Sequence, residues 1–166
     1  VVEVRTPEGL EGLDGLVIPG GESTTMTKLI ASAGLDPALR AMHDEGRPIL
    51  GTCAGLIVCD DEHLRLIDVT ARRNAFGRQL QSFEADLIVT GAGAEPLKAV
   101  FIRAPWVERT GEGVEILASW EGHPVAIREG SVLASAFHPE LTDDPRFHAI
   151  FMAMITKAQE REAARG

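Results

Sequence analysis

Hydrophobic and polar positions along the first third of the chain alternate between two periods. Residues 1–5, Val-Val-Glu-Val-Arg, are β-branched and alternating, and they predict a strand. Residues 13–18 predict a second strand, stopped by Pro19, Gly20 and Gly21. Residues 22–25 are cap-type and precede Met26, Leu29 and Ile30 at helical spacing, with Gly34 ending that helix. Asp36 and Pro37 open another helix that runs to about Gly46, and residues 47–50 read as a short buried strand. Strand and helix in alternation predict a parallel α/β sheet.

The middle of the chain changes period. Residues 64–72, 79–90, 97–102, 114–120, 125–128 and 131–136 read as strands between glycine-rich turns, some of them pairing antiparallel. Asp143, Asp144 and Pro145 then cap a last helix with Phe147, Ile150, Phe151, Met154 and Ile155 on one stripe. The charged, alanine-rich tail from Lys157 is expected to fray. No repeat, linker or internal boundary interrupts the chain, so residues 1–166 read as one domain.

Composition narrows the functional classes. A hydrophobic share of 45% over 166 residues is enough for a buried core. Sixteen basic residues against 25 acidic ones, a net charge of −9, argue against a nucleic-acid or anionic-membrane partner. Two cysteines, Cys53 and Cys59, form neither a metal-ligand pattern nor a disulfide framework, which points to a reducing, cytoplasmic setting. No apolar run reaches membrane-spanning length, and residue 1 is Val within strand-like sequence rather than a leader.

The chemistry centres on Gly51-Thr52-Cys53-Ala54-Gly55, set between the strand at 47–50 and the helix start Leu56-Ile57-Val58. Strand, sharp turn and helix with a nucleophile at the tip is the elbow of G-x-S-x-G hydrolases, here carrying cysteine. The helix N-terminus favours a reactive thiolate, and the Ala54 N–H is placed to donate to an oxyanion. His138, past a predicted strand end, supplies the base, and Glu140 two residues on shares its face and holds one ring nitrogen. Gly20 and Gly21 give N–H groups that complete the oxyanion hole, while Glu22 can accept from a substrate ammonium and Ser23 opens the helix. Arg72-Arg73-Asn74 and Ile102-Arg103-Ala104-Pro105 each offer an arginine for a carboxylate. His43, His63, His123 and His148 read as surface or cap residues, and Cys59 as helix core or a partly exposed thiol. From the residues alone this is a cysteine hydrolase working by acyl transfer through a thioester.

At these positions the chain resembles the glutaminase subunit of pyridoxal 5′-phosphate synthase, a class I (triad) glutamine amidotransferase. The resemblance is carried by residues 15–25, by 51–56, by Arg73-Asn74-Ala75-Phe76-Gly77-Arg78-Gln79, by 82–87, by 100–105 and by Phe137-His138-Pro139-Glu140-Leu141-Thr142. It implies a three-layer, flavodoxin-like, mostly parallel sheet with antiparallel strands in the second half. It implies that Cys53 attacks the side-chain amide of L-glutamine, that His138 shuttles protons, and that Glu140 orients His138. Gly21, Glu22, Ser23, Arg73, Ile102 and Arg103 would hold glutamine, and Gly20, Gly21 and Ala54 would face the oxyanion. Ammonia would pass to a (β/α) barrel synthase subunit for vitamin B6 synthesis, with no metal or cofactor on the glutaminase.

In the family pattern a further strand–helix unit precedes the segment that matches residue 1, and the connection over 59–66 is longer. The resemblance therefore implies one glutaminase domain, truncated at its N-terminal side. Two other readings fit the letters: a non-catalytic fragment or binding module of the same fold, and a related thiol hydrolase with another substrate.

Overall fold

The computed structural model describes residues 1–77 and 81–166. Among them the strands are β1 (Leu16–Ile18), β2 (Ile49–Thr52), β3 (Val69–Arg72), β4 (Ser82–Leu87), β5 (Leu97–Ile102), β6 (Trp106–Thr110), β7 (Glu115–Trp120), β8 (His123–Glu129) and β9 (Val132–Ser135). The α-helices are α1 (Ser23–Ser32), α2 (Leu35–Asp44), α3 (Ala54–Cys59) and α4 (Arg146–Arg165).

The central sheet has the order β1-β2-β9-β8-β7. β1, β2 and β9 run parallel, and β8 and β7 are added antiparallel. Every residue of β2 and of β9 is buried, as a sheet covered on both faces requires. This is the layered α/β arrangement that the alternating pattern predicts. Two antiparallel pairs, β3 with β6 and β4 with β5, stand beside the sheet.

An aromatic run ties these ribbons to the sheet. Phe83 stacks on Phe101 at 4.6 Å, Phe101 meets Phe137 edge-on at 5.8 Å, and Phe76 meets Trp106 edge-on at 5.2 Å. Phe101 and Phe137 are fully buried, and Phe137 immediately precedes His138. The backbone N–H of His138 donates to Val100 O on β5 at 2.8 Å, so the ribbon also fixes the path of the chain at residue 138.

Several elements differ from the sequence pattern. Residues 1–5 form no strand, and Val2 is 66% exposed, because alternation supplies a strand only where a neighbour takes its backbone groups. The stretch 64–72 is a strand only from Val69; before it, Leu64, Arg65, Leu66 and Ile67 donate their backbone N–H groups to the end of α3. The stretch 79–90 is a strand over Ser82–Leu87; Arg78, Gln79 and Leu80 lie outside the described residues. β6 has no counterpart in the pattern reading, its mixed burial showing no clean period. The tail from Lys157 does not fray: α4 continues to Arg165, and Gln159 Nε2 donates to Asp14 Oδ1 at 2.9 Å.

Candidate active site

Three adjacent parallel strands end at one edge of the sheet, and each releases a chemical group there. Ile18 of β1 is opposite Gly51, and Thr52 of β2 is opposite Ser135 of β9. Gly20 follows β1, Cys53 follows β2 directly, and His138 follows β9. Parallel strands in this register place their next loops side by side at the carboxyl edge.

Cys53 sits at φ 52°, ψ −107°, a strained conformation for a non-glycine residue, and it caps the N-terminus of α3. Its N–H donates to Ser135 O at 2.8 Å, which pins the elbow to β9. The bend is so tight that a Cβ at Gly55 would lie 2.0 Å from Ile18 O, and one at Gly51 would lie 2.7 Å from Gly55 O. The bracketing glycines are therefore a steric requirement of the elbow.

The three predicted catalytic residues come together. A Cβ built on Gly20 would fall 2.5 Å from His138 Cε1 and 3.6 Å from the Cys53 Cβ, so the imidazole and the cysteine flank the same glycine. His138 Nδ1 is 2.7 Å from Glu140 Oε1. With Nδ1 engaged as donor to the carboxylate, Nε2 is the nitrogen left for the thiol. The His138 pKa is raised to about 9, chiefly by its hydrogen bond with Cys53, against the opposing effect of burial and with further support from Glu140. Cys59 is fully buried in α3, and burial pushes its thiol up to about 12, leaving it inert core.

A cavity of about 460 Å³ opens over Cys53 and His138. Gly21, Glu22, Ser23, Ala54, Arg73, Ile102 and Arg103, all candidates named from the sequence, line it. Gly20 lies against the imidazole and the cysteine and is not among the residues of the cavity wall. Ile57, Asn74 and Pro105 also line it and were not expected there. Asn74, at φ 45°, is the third strained residue of the wall with Cys53 and Arg103, a signal that backbone angles carry and letters do not.

Glu22 does more than the sequence suggests. Its carboxylate caps α1, accepting from the backbone N–H of Thr24 at 3.1 Å and of Thr25 at 2.7 Å, and from the Thr25 hydroxyl at 2.7 Å. The Thr25 hydroxyl and these two amides hold its pKa down at about 2. Arg73 donates to Glu22 Oε1 at 2.6 Å and to Thr24 Oγ1 at 2.8 Å, joining the two sides of the cavity mouth. Arg72 points elsewhere, pairing with Glu108, so only the second arginine of its pair reaches the cavity. His63 bonds Asp60 at 2.6 Å, and His123 stacks on Trp106 at 3.5 Å. Neither belongs to the cavity. Among the described residues no helix is long and apolar enough to cross a membrane.

The model of the SNO glutamine amidotransferase family matches residues 1–157. This chain belongs to that family. Its curated relatives include the pyridoxal 5′-phosphate synthase subunit PdxT of Streptomyces avermitilis, 52% identical over 92% of this chain and 81% of the relative. The PdxT protein of Mycobacteroides abscessus is 53% identical over 92% of this chain and 83% of its own length. A crystal structure of a glutamine amidotransferase superposes with a TM-score of 0.88 at 46% identity, covering 93% of this chain and 86% of the other. A GMP synthase protein from Thermoplasma acidophilum, at 16% identity and a TM-score of 0.72 over 95% of this chain and 80% of the other, shares the fold. In this member of the amidotransferase family the elbow and the imidazole thus meet at one cavity, with the acid paired to the ring outside its wall.

Proposed function

We propose that this amidotransferase hydrolyses L-glutamine at Cys53 and delivers the ammonia for pyridoxal 5′-phosphate synthesis. The observation that carries the reading is the His138 ring set against Cys53 with Glu140 behind it at 2.7 Å. Glutamine hydrolysis is the chemistry of the family, and the names of the relatives give the synthase setting.

The Cys53 thiolate attacks the side-chain amide carbon, and the carbonyl π electrons move to oxygen. N–H groups of Gly21 and Ala54, which line the cavity, face that oxyanion. The His138 imidazolium gives its Nε2 proton to the amide nitrogen, the C–N bond breaks, ammonia leaves, and a γ-glutamyl thioester remains. Water then loses a proton to Nε2 as it attacks the thioester carbon. The C–S bond breaks, glutamate departs and the thiolate–imidazolium pair returns. Glu140 holds Nδ1 protonated throughout and stabilises the imidazolium.

Arg73 and Arg103 take the α-carboxylate, Glu22 the α-ammonium, and Gly21, Ser23 and Ile102 border the substrate chain. The ammonia passes to a (β/α) barrel synthase subunit that docks over the cavity, both proteins residing in the cytoplasm where Cys53 stays reduced. Residues 1–166 act in this scheme as one glutaminase domain.

The test is glutamate release from glutamine with the synthase subunit present, together with labelling by a diazo analogue of glutamine. Release and labelling at Cys53, both lost in Cys53→Ala, are expected. Hydrolysis of peptides with none of glutamine would sink the reading.

A further inference from the structure

We propose that Asp60 is a positioning residue for Arg73, setting the arginine's place at the cavity mouth by anchoring β3 at Ala71, opposite the bulge in β6. This rests on the functional reading above. Asp60 directly follows α3, the helix that begins beside Cys53, and its side chain is fully buried. A buried carboxylate at a helix C-terminus faces the negative end of the dipole and is costly unless its oxygens are satisfied. Here they are. Oδ1 accepts from the backbone N–H of Glu62 at 3.0 Å and of His63 at 3.1 Å, and contacts His63 Nδ1 at 2.6 Å. Oδ2 accepts from the backbone N–H of Ala71 at 3.2 Å.

The last contact reaches the active site. The pairing of β3 with β6 shifts register between Thr70 and Ala71, where Thr70 opposes Arg109 but Ala71 opposes Val107. The extra residue is Glu108 of β6, so Ala71 is the β3 residue that faces the break in the ladder, and its anchoring sets how the residues after it leave the pair. Those residues are Arg72, paired with Glu108, and Arg73, which meets Glu22 and Thr24 in the cavity wall. Regular pairing in place of the bulge would move the strand end by one residue, about 3.3 Å, and turn its side chains to the opposite face. Arg73 would then leave the mouth. Asp60 accepts the Ala71 N–H at the bulge, and so couples the end of the elbow helix to the arginine that receives substrate.

Kinetics of the complex with the synthase subunit test this. Asp60→Asn keeps the size of the side chain and places an amide NH2 or a neutral oxygen where two acceptor oxygens stood. KM for glutamine is expected to rise about fivefold or more with kcat within about twofold. On an Arg73→Ala background the same substitution is expected to add nothing to KM, since the residue it positions is gone. His63→Ala, which leaves the Ala71 contact in place, should keep the wild-type KM. Asp60→Ser serves the same cycle if the asparagine variant does not fold.

An unchanged KM in Asp60→Asn, or an equal rise on both backgrounds, overturns the inference while leaving the glutaminase reading intact. A fall in kcat alone does the same, because it marks a general structural role. A wild-type complex that neither binds nor hydrolyses glutamine overturns the functional reading, and this inference with it.

Discussion

Arg73 and Glu22, 51 residues apart in sequence, meet at 2.6 Å across the mouth of the cavity. In the proposed function these are the two charges that face the carboxylate and ammonium of an amino acid, and in the free protein they answer each other. A zwitterionic substrate replaces one protein ion pair with two pairs of its own, which keeps the arginine ordered before binding.

The first prediction concerns that arginine. A charge-assisted hydrogen bond carries about 1.5–3 kcal/mol, so Arg73→Ala should raise KM for glutamine roughly 10- to 100-fold. Arg73→Lys should recover only part of the loss, since a point charge cannot make the planar fork. Steady-state glutamate release measures both. An unchanged KM in the alanine variant would remove Arg73 from the substrate site.

The second concerns the imidazole. Because contact with Cys53 is the leading cause of its raised pKa, His138 should titrate well below about 9 in Cys53→Ala. The ring resonances, followed by NMR against pH, give the value directly. The same variant should release no glutamate.

The third concerns stability against pH. The folded-state pKa of His138, about 9, stands above its ordinary value of 6.5. Protonation therefore favours the folded state: this contribution is complete below pH 6.5 and is lost as pH rises through 9. Glu22 runs the other way. Held at about 2 against an ordinary 4.5, its contribution is present above pH 4.5 and disappears as pH falls through 2. Thermal melts of wild type against His138→Gln should converge on the alkaline side, and melts against Glu22→Gln on the acid side.

The fourth separates two glycines. The Cβ of Gly20→Ala meets an imidazole that can swing away, whereas the Cβ of Gly55→Ala meets the backbone oxygen of Ile18. Gly20→Ala should fold and lose glutaminase activity about 100-fold or more, as expected when general acid–base geometry is spoiled. Gly55→Ala should lower the melting temperature or fail to fold. A fully active Gly20→Ala would place the imidazole elsewhere during catalysis.

Legibility followed the range of the forces involved. The elbow could be read because strand, sharp turn and helix are local, and the glycines at 51 and 55 are demanded by contacts within that turn and with its neighbouring strand. The pair His138 and Glu140 could be read for the same reason, lying two residues apart. Residues 1–5 misled because an alternating pattern describes one strand and says nothing of a partner. Residue pattern alone did not separate Arg72 from Arg73, which only the family resemblance singled out; in the fold Arg72 pairs with Glu108 and Arg73 with Glu22.

Sequence alone settled the reactive types: a cysteine on a bend, a histidine with an acid beside it, two arginine-bearing loops and an alternating α/β chain. Short-range sterics and hydrogen bonding fix such features within a few residues. Which strand neighbours which, and therefore that Gly20, Cys53 and His138 leave one edge together, was decided by the sheet order β1-β2-β9. The same holds for Glu22 finding Arg73 and for Asn74 entering the cavity wall. Those placements depend on burying strand faces and pairing backbone groups across the whole domain, and that is a property of the packed chain rather than of any stretch of it.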